Sequence, residues 1–270
     1  MNGDEGVGST KALPEKPGST IHRRIRQVWL TFGTLASVAL VWSFQAHGVA
    51  RSVLETDSAV RVTRHEDHIE FAPLGEGKQA NLLFFPGGMV QIEAYAPMAR
   101  AIAEAGFRVV LIKLPFLGRH APSDEDKAEA VQRAIRQFQI AGTDTRWVVA
   151  AHSFGGVLAS RLAAERHDAI RSLVLIGTTH PRDVDLSTAN LPVLKILGTR
   201  DGVASPARTR ENAARLPADT RWVEIEGANH AQFGYYGPQL GDSRATITRE
   251  EQQRRLVELI VSEMDRVVQL

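Results

Sequence analysis

The tightest constraint on this chain is a rhythm of short, almost continuously apolar runs set between longer stretches of helical character. ANLLFFP, FRVVLIKLP, RWVVAA, SLVLI and LPVLKILG are dominated by Val, Ile, Leu, Phe and Ala. A strand that is apolar on both faces must be covered on both faces, which is the situation inside a parallel sheet flanked by helices. Candidate helices lie between the runs, at Ala94–Ala105, Asp124–Phe138, Gly155–Arg166, Pro206–Leu216 and Arg249–Val268. Parallel neighbours need a crossover helix, so the alternation specifies a doubly wound arrangement. Ahead of it, AVRVTR (59–64) and HIEF alternate apolar and polar residues, as edge strands with one exposed face do, and RWVEIE closes the series. The prediction is an α/β fold: a mainly parallel, doubly wound, eight-stranded sheet flanked by helices. With 270 residues, 43% of them hydrophobic, the chain suffices for one such domain plus an extension.

The extension is N-terminal. The first twenty residues are rich in Gly, Pro, Ser and Thr, HRRIRQ follows, and residues 1–27 are expected to form a disordered cytoplasmic tail. From Val28 to Ala46, nineteen positions carry no charge, close to the roughly 20 that span a bilayer as a helix. Arg23, Arg24 and Arg26 stand just before this run, and Trp29 and Trp42 lie near its ends, where indole rings favour the membrane interfaces. A single-pass signal anchor over 28–46 is therefore expected, followed by a linker over 47–58 and the folded domain over 59–270. Basic residues stay on the cytoplasmic side, which sends the domain out of the cytoplasm. The alternative is a signal removed after Ala50, releasing a secreted or periplasmic protein. Signal peptides, however, have apolar cores of about 7–15 residues, shorter than this one.

The 32 basic and 31 acidic side chains nearly cancel, so no broad field would draw in a nucleic acid. The absence of cysteine excludes disulfides, thiolate metal sites and a cysteine nucleophile. No Gly-Lys-Ser/Thr follows the glycine pair in LLFFPGGM, and no G-x-G-x-x-G occurs, so neither a phosphate loop nor a dinucleotide site is expected. No cofactor and no metal are called for.

Chemistry concentrates in AHSFGG, between the strand RWVVAA and the helix starting at Gly155. Ligands of an open parallel sheet meet the carboxyl ends of its strands, so Ser153 in that turn points at the expected site. A sharp strand-to-helix turn needs small residues two before and two after the serine, and here they are Ala151 and Gly155. A hydroxyl is a poor nucleophile until a base takes its proton. His230, in EGANHAQFG after the last strand, is the candidate base, and Asp201, in GTRDG after LPVLKILG, is the candidate that orients it. Asp183 and Asp185, after SLVLI, are the rival acids. A tetrahedral intermediate would need backbone N–H donors, for which Phe154 and Gly88 are the candidates, with Gly87 and Met89 as alternatives to Gly88.

The segments FFPGGMVQIEAYAPMARAIAEAGFRVVLIKLP, AAHSFGGVLASRLA, LKILGTRDGVAS and EGANHAQFGYYGPQLGDSRATITREEQ together resemble the α/β-hydrolases, in particular a bacterial, often membrane-anchored group related to dienelactone hydrolase. The likeness runs from about residue 60 to the end of the chain. It implies the α/β-hydrolase fold, a bacterial membrane setting, and a Ser153/Asp201/His230 triad in that chain order. Dienelactone hydrolase itself uses a cysteine, which this chain lacks. The expected activity is cleavage of a small carboxylic ester, or a related lactone, thioester or amide, through an acyl-enzyme. The alternative is an inactive hydrolase fold serving as a membrane-tethered binding module.

Two further expectations concern the rim. Arg119 and His120, after the fourth strand, and His180 and Arg182, after the sixth, would favour carboxylate-bearing substrates if they gathered over the site; as solvated loop residues they need no role. The segment 177–190 between SLVLI and LPVLKILG is too short and polar for a helical lid, so no large lid domain is expected and the acyl groups accepted should be short.

Overall fold

The computed structural model describes residues 18–115, 122–166 and 168–269. The chain divides into two compact units after Trp42. In the first, helix α1 (Gly18–Ser43) contains a stretch, Thr20–Ser43, long and apolar enough to cross a membrane, with mean hydropathy 1.2. The tail expected over 1–27 is corrected in its last ten residues, because 18–27 are helical. Between Gly18 and Val28 there is no glycine or proline to stop a helix spreading toward the N-terminus. Residues 1–17 lie outside the described residues.

The second unit is built on one sheet. Its strands are β1 (Val60–Arg64), β2 (His68–Pro73), β3 (Ala80–Phe85), β4 (Arg108–Ile112), β5 (Arg146–His152), β6 (Ile170–Ile176), β7 (Val193–Gly198) and β8 (Arg221–Ile225), in the order β1-β2-β4-β3-β5-β6-β7-β8. β1 and β2 pair antiparallel, as do β2 and β4, and the remaining pairs are parallel. This is the expected eight-stranded, mainly parallel sheet. Helices α2 (Ala96–Glu104) and α6 (Arg249–Gln269) cover one face, α3 (Asp124–Ala141) and α4 (Gly155–Arg166) the other.

Strand side chains alternate between the two layers with period two. Leu82 and Phe84 of β3 pack with Met98, Ile102, Leu256 and Ile260, whereas Leu83 and Phe85 pack with Ala134, Phe138, Leu158 and Leu162. Each large apolar side chain fully buried in this way contributes roughly 1.5–3 kcal/mol. The cores hold the sheet, and the loops at the strand ends are left to do chemistry. From β3 the chain crosses to β4 on one side and then to β5 on the other, so the strand order reverses between β3 and β5, where Phe85 stands beside Ala151. That reversal opens the crevice in which such sheets bind ligands.

Two local expectations change. Pro206–Leu216 is not one helix: α5 (Pro206–Arg210) is short and a separate 3-10 turn covers Ala213–Arg215, with Asn212 between them outside helical geometry at φ −103°, ψ 15°. The linker expected over 47–58 is packed onto the body. Val49, Val53 and Leu54 join the apolar core, and the buried Arg100 of α2 donates to the carbonyl of Val53 (3.0 Å) and to Asp57 (2.7 Å). A guanidinium in fork geometry can satisfy several acceptors at once, which ties an irregular segment down without regular structure. The connection from Gly177 to Pro192 carries no helix, in line with the absence of a lid.

Candidate active site

β5 ends at His152 and α4 begins at Gly155, leaving Ser153 and Phe154 in the turn, Ser153 with φ of 52°. A non-glycine residue in the left-handed region costs roughly 1–3 kcal/mol and persists only where its surroundings enforce it. Enforcement is visible. The Ser153 N–H donates to the Ile176 carbonyl (3.0 Å), and the approach of α4 to β3 is so close that a Cβ on Gly155 would lie 2.4 Å from the Phe85 oxygen. On Gly156 a Cβ would meet Thr178 Oγ1 at 2.6 Å. Both positions require glycine because neighbouring atoms fill the space a side chain would take.

The loops after β7 and β8 bring the other two candidates to this turn. His230 Nε2 lies 2.9 Å from Ser153 Oγ, and His230 Nδ1 lies 2.8 Å from Asp201 Oδ2. The second oxygen of Asp201 accepts the N–H groups of Val203 (2.9 Å) and Ala204 (2.6 Å), leaving Oδ2 directed at the imidazole. The side chains of His230 and Asp201 are wholly buried, so water does not compete for this pair. With Nδ1–H donated to Asp201, the Nε2 lone pair is available to the serine hydroxyl. The rival acids are elsewhere: Asp183 is exposed, and Asp185 accepts the N–H of Ser187 (2.9 Å).

The loop after β3 supplies the next wall. Gly87 is committed, since its N–H donates to the Tyr95 hydroxyl (3.0 Å). Among the described residues no acceptor faces the N–H of Gly88 or of Met89. The Gly88 backbone lies against Phe154, whose Cβ is 3.2 Å from where a Gly88 Cβ would be. The two candidate residues are thus neighbours, Phe154 directly following Ser153.

Sequence reasoning missed what lies behind them. The Tyr95 hydroxyl, having accepted from Gly87, is also hydrogen-bonded to His152 Nδ1 (2.8 Å). His152 is fully buried, and its ring lies 4.6 Å from that of His230. Burial first, and the neighbouring His230 second, hold the His152 pKa well below the usual histidine value, so this imidazole is neutral. Burial likewise raises the Tyr95 phenol pKa. Nothing in the spacing of Tyr95 and His152 announces the contact, because it forms only when β3 and β5 pair.

At the rim, His180 sits in the loop after β6, and burial, followed by the Arg182 charge, pushes its pKa down to about 4. It is therefore neutral at ordinary pH and adds no cationic charge. Its carbonyl and that of Thr178 accept from the buried Lys195 Nζ at 2.6 and 2.7 Å. Arg182 is exposed in the same loop, while Arg119 and His120 lie outside the described residues.

Among the described residues, one group could offer metal ligands. His65, His68 and Glu70 bring potential ligand atoms within 4.8 Å of one another. The two imidazoles stack 4.1 Å apart with planes only 12° from parallel, so their in-plane lone pairs run side by side and do not converge. Glu70 is paired with Arg108 at 2.5 Å. The arrangement suits an ion-paired hairpin better than a metal centre.

Residues 81–254 match a family model described as the alpha/beta hydrolase family. Mouse Protein ABHD14A is 25% identical over 174 residues, an alignment covering 61% of this chain and 68% of the mouse protein. Among solved structures, TT1662 from Thermus thermophilus superposes with a TM-score of 0.56 at 19% identity, covering 78% of this chain and 99% of that one. An alpha-beta serine hydrolase homologue from Coxiella burnetii gives a TM-score of 0.56 at 15% identity with the same coverages, 78% and 99%.

Proposed function

The chain belongs to the alpha/beta hydrolase family, and from that premise we propose that it is a serine hydrolase acting on a small carboxylic ester or a related acyl bond. The observation that carries the reading is the unbroken relay from Ser153 Oγ through His230 to Asp201, with separations of 2.9 and 2.8 Å. Hydrogen-bonded contacts of this kind, with the base oriented by a third group, are what an activated serine requires.

In the proposed reaction Ser153 Oγ attacks the acyl carbon while its proton passes to His230 Nε2. Asp201 Oδ2 stabilises the imidazolium that forms. The carbonyl oxygen, now an oxyanion, accepts N–H bonds from Phe154 and Gly88; one such donor is worth roughly 2.7–4 kcal/mol of barrier. The C–O bond to the leaving group breaks as His230 returns its proton to the departing alcohol. Water then gives a proton to His230 and attacks the acyl carbon; the bond from that carbon to Ser153 Oγ breaks as His230 returns the proton to Oγ, releasing the acid and restoring Ser153. The chain has no cysteine, so any kinship with dienelactone hydrolase extends to the fold and not to the nucleophile.

Substrate size follows from the β6–β7 connection. It carries no helix, so it offers a long acyl chain no lid to bury against, and each added methylene forgoes most of the roughly 0.8 kcal/mol that such burial would supply. Short acyl esters are the proposed substrates. The uncharged part of α1 from Val28 onward, preceded by Arg23, Arg24 and Arg26, supports a membrane anchor with the catalytic unit outside the cytoplasm. The test is a panel of esters, thioesters and amides of graded acyl length. The reading expects kcat/KM to peak among short esters and fall beyond about four to six carbons. A steady rise to long chains overturns the size assignment, and no turnover of any acyl compound favours the tethered binding module instead.

A further inference from the structure

The loops that carry Asp201 and His230 leave neighbouring parallel strands, and the last backbone bond joining them runs from the Arg200 N–H to the Ala228 carbonyl (2.8 Å). Beyond it, among the described residues, they are connected by the Asp201–His230 contact itself and by one side chain, Asp242. Its Oδ1 accepts the N–H of Gly202, next to Asp201, at 3.1 Å, and the N–H of His230 at 3.2 Å. Its Oδ2 accepts the N–H of Ala231 at 2.9 Å.

An aspartate that only capped its own turn would need no more than its bond to the following residue, Ser243 (2.9 Å). The other three donors come from two different loops, each carrying half of the acid–base pair. The clamp is itself held. Asn229 Nδ2 donates to the Ser243 carbonyl (2.8 Å), and Gly202 approaches so closely that a Cβ there would lie 2.4 Å from the Gly241 oxygen. Backbone N–H groups bonded to a carboxylate make charge-assisted bonds, roughly twice as strong as neutral ones.

We infer that Asp242 is a positioning residue that fixes the His230 backbone and the Asp201 turn in register, setting the imidazole in line with Ser153 and its acid. It touches no reacting atom and acts through His230. The inference rests on the proposed hydrolase reading, and the two can fail separately.

The experiment compares wild type with Asp242→Asn and Asp242→Ala, normalising turnover to the serine titrated at end-point by a fluorophosphonate. A misplacement of about 1 Å in a catalytic group costs about 100-fold. Asp242→Ala should therefore lower kcat by about that factor with KM within about twofold. Asp242→Asn keeps a carbonyl oxygen for the Oδ1 donors but turns an NH2 toward the Ala231 N–H, and should lose only about tenfold in kcat. A merely structural role would lower the melting temperature of both variants and leave kcat per titrated serine unchanged; values within about twofold of wild type overturn the inference. A wild type that is neither labelled nor active sinks the hydrolase reading instead. Amide exchange in the wild-type protein decides the clamp independently of folding in the variants. The Gly202, His230 and Ala231 amides, outside any α-helix or strand, should be strongly protected, and exchange at free-loop rates would show that no clamp exists.

Discussion

The two halves of the candidate site are held by different physics. The serine half, where β5 turns into α4, is fixed by contact: Ser153 is forced to φ of 52°, and Gly155 lies where any side chain would strike the Phe85 carbonyl. The histidine half is fixed by hydrogen bonds, with Asp201 directed by the nearby N–H groups of Val203 and Ala204, and the Asn229 N–H bound to Gln252 Oε1 (3.1 Å) from the remote α6. Steric definition tolerates no change of size, whereas polar definition tolerates size but not a lost charge or acceptor. Substitutions in the two halves should therefore fail in different ways.

The largest effect tests the polar half. Asp201→Asn preserves shape but offers an amide where the imidazole needs an acceptor. Turnover should fall by about 10,000-fold with the fold intact by circular dichroism, while Asp183→Asn and Asp185→Asn turn over normally. Full activity in Asp201→Asn, with loss in either of the others, would move the acid to the loop after β6.

The contact half is tested by Gly155→Ala. One methyl group must displace backbone, since the Phe85 and Pro86 oxygens lie 2.4 and 2.7 Å from the new carbon. Activity should drop by about 100-fold or more, together with a lowered melting temperature. An alanine accepted without loss of either would show that this half is not sterically defined.

The smallest effect is expected where the two kinds of definition meet. Tyr95→Phe keeps the ring but removes the hydroxyl that joins Gly87 of the loop after β3 to His152 of the elbow. Leaving the buried Gly87 N–H unpaired should cost about 1–3 kcal/mol of stability. If the loop slackens with it, kcat should fall by about tenfold while KM holds. Unchanged stability and kcat would mean that the loop keeps its shape without the hydroxyl.

The same distinction explains what could be read in the sequence. The sheet was legible because its strands are apolar on both faces, and α4 was placed at Gly155–Arg166 with both ends correct. Ser153 could be read from the small residues its turn demands, and Asp201 and His230 from their places at strand ends. Asp242 and Tyr95 could not, because each acts on a partner brought close only by tertiary structure: Gly202 lies 40 residues from Asp242, and His152 lies 57 from Tyr95. The packed stretch 47–58 was hidden for the same reason, since its anchor, Arg100, belongs to α2.

The most direct test of the central claim is the reactivity of one hydroxyl. The intact mass of the protein after exposure to a fluorophosphonate should rise by a single phosphonyl group, mapped to Ser153. Labelling should disappear in Ser153→Ala and slow by orders of magnitude in His230→Ala. A wild-type mass that does not change, or an adduct that persists in Ser153→Ala, would contradict the account.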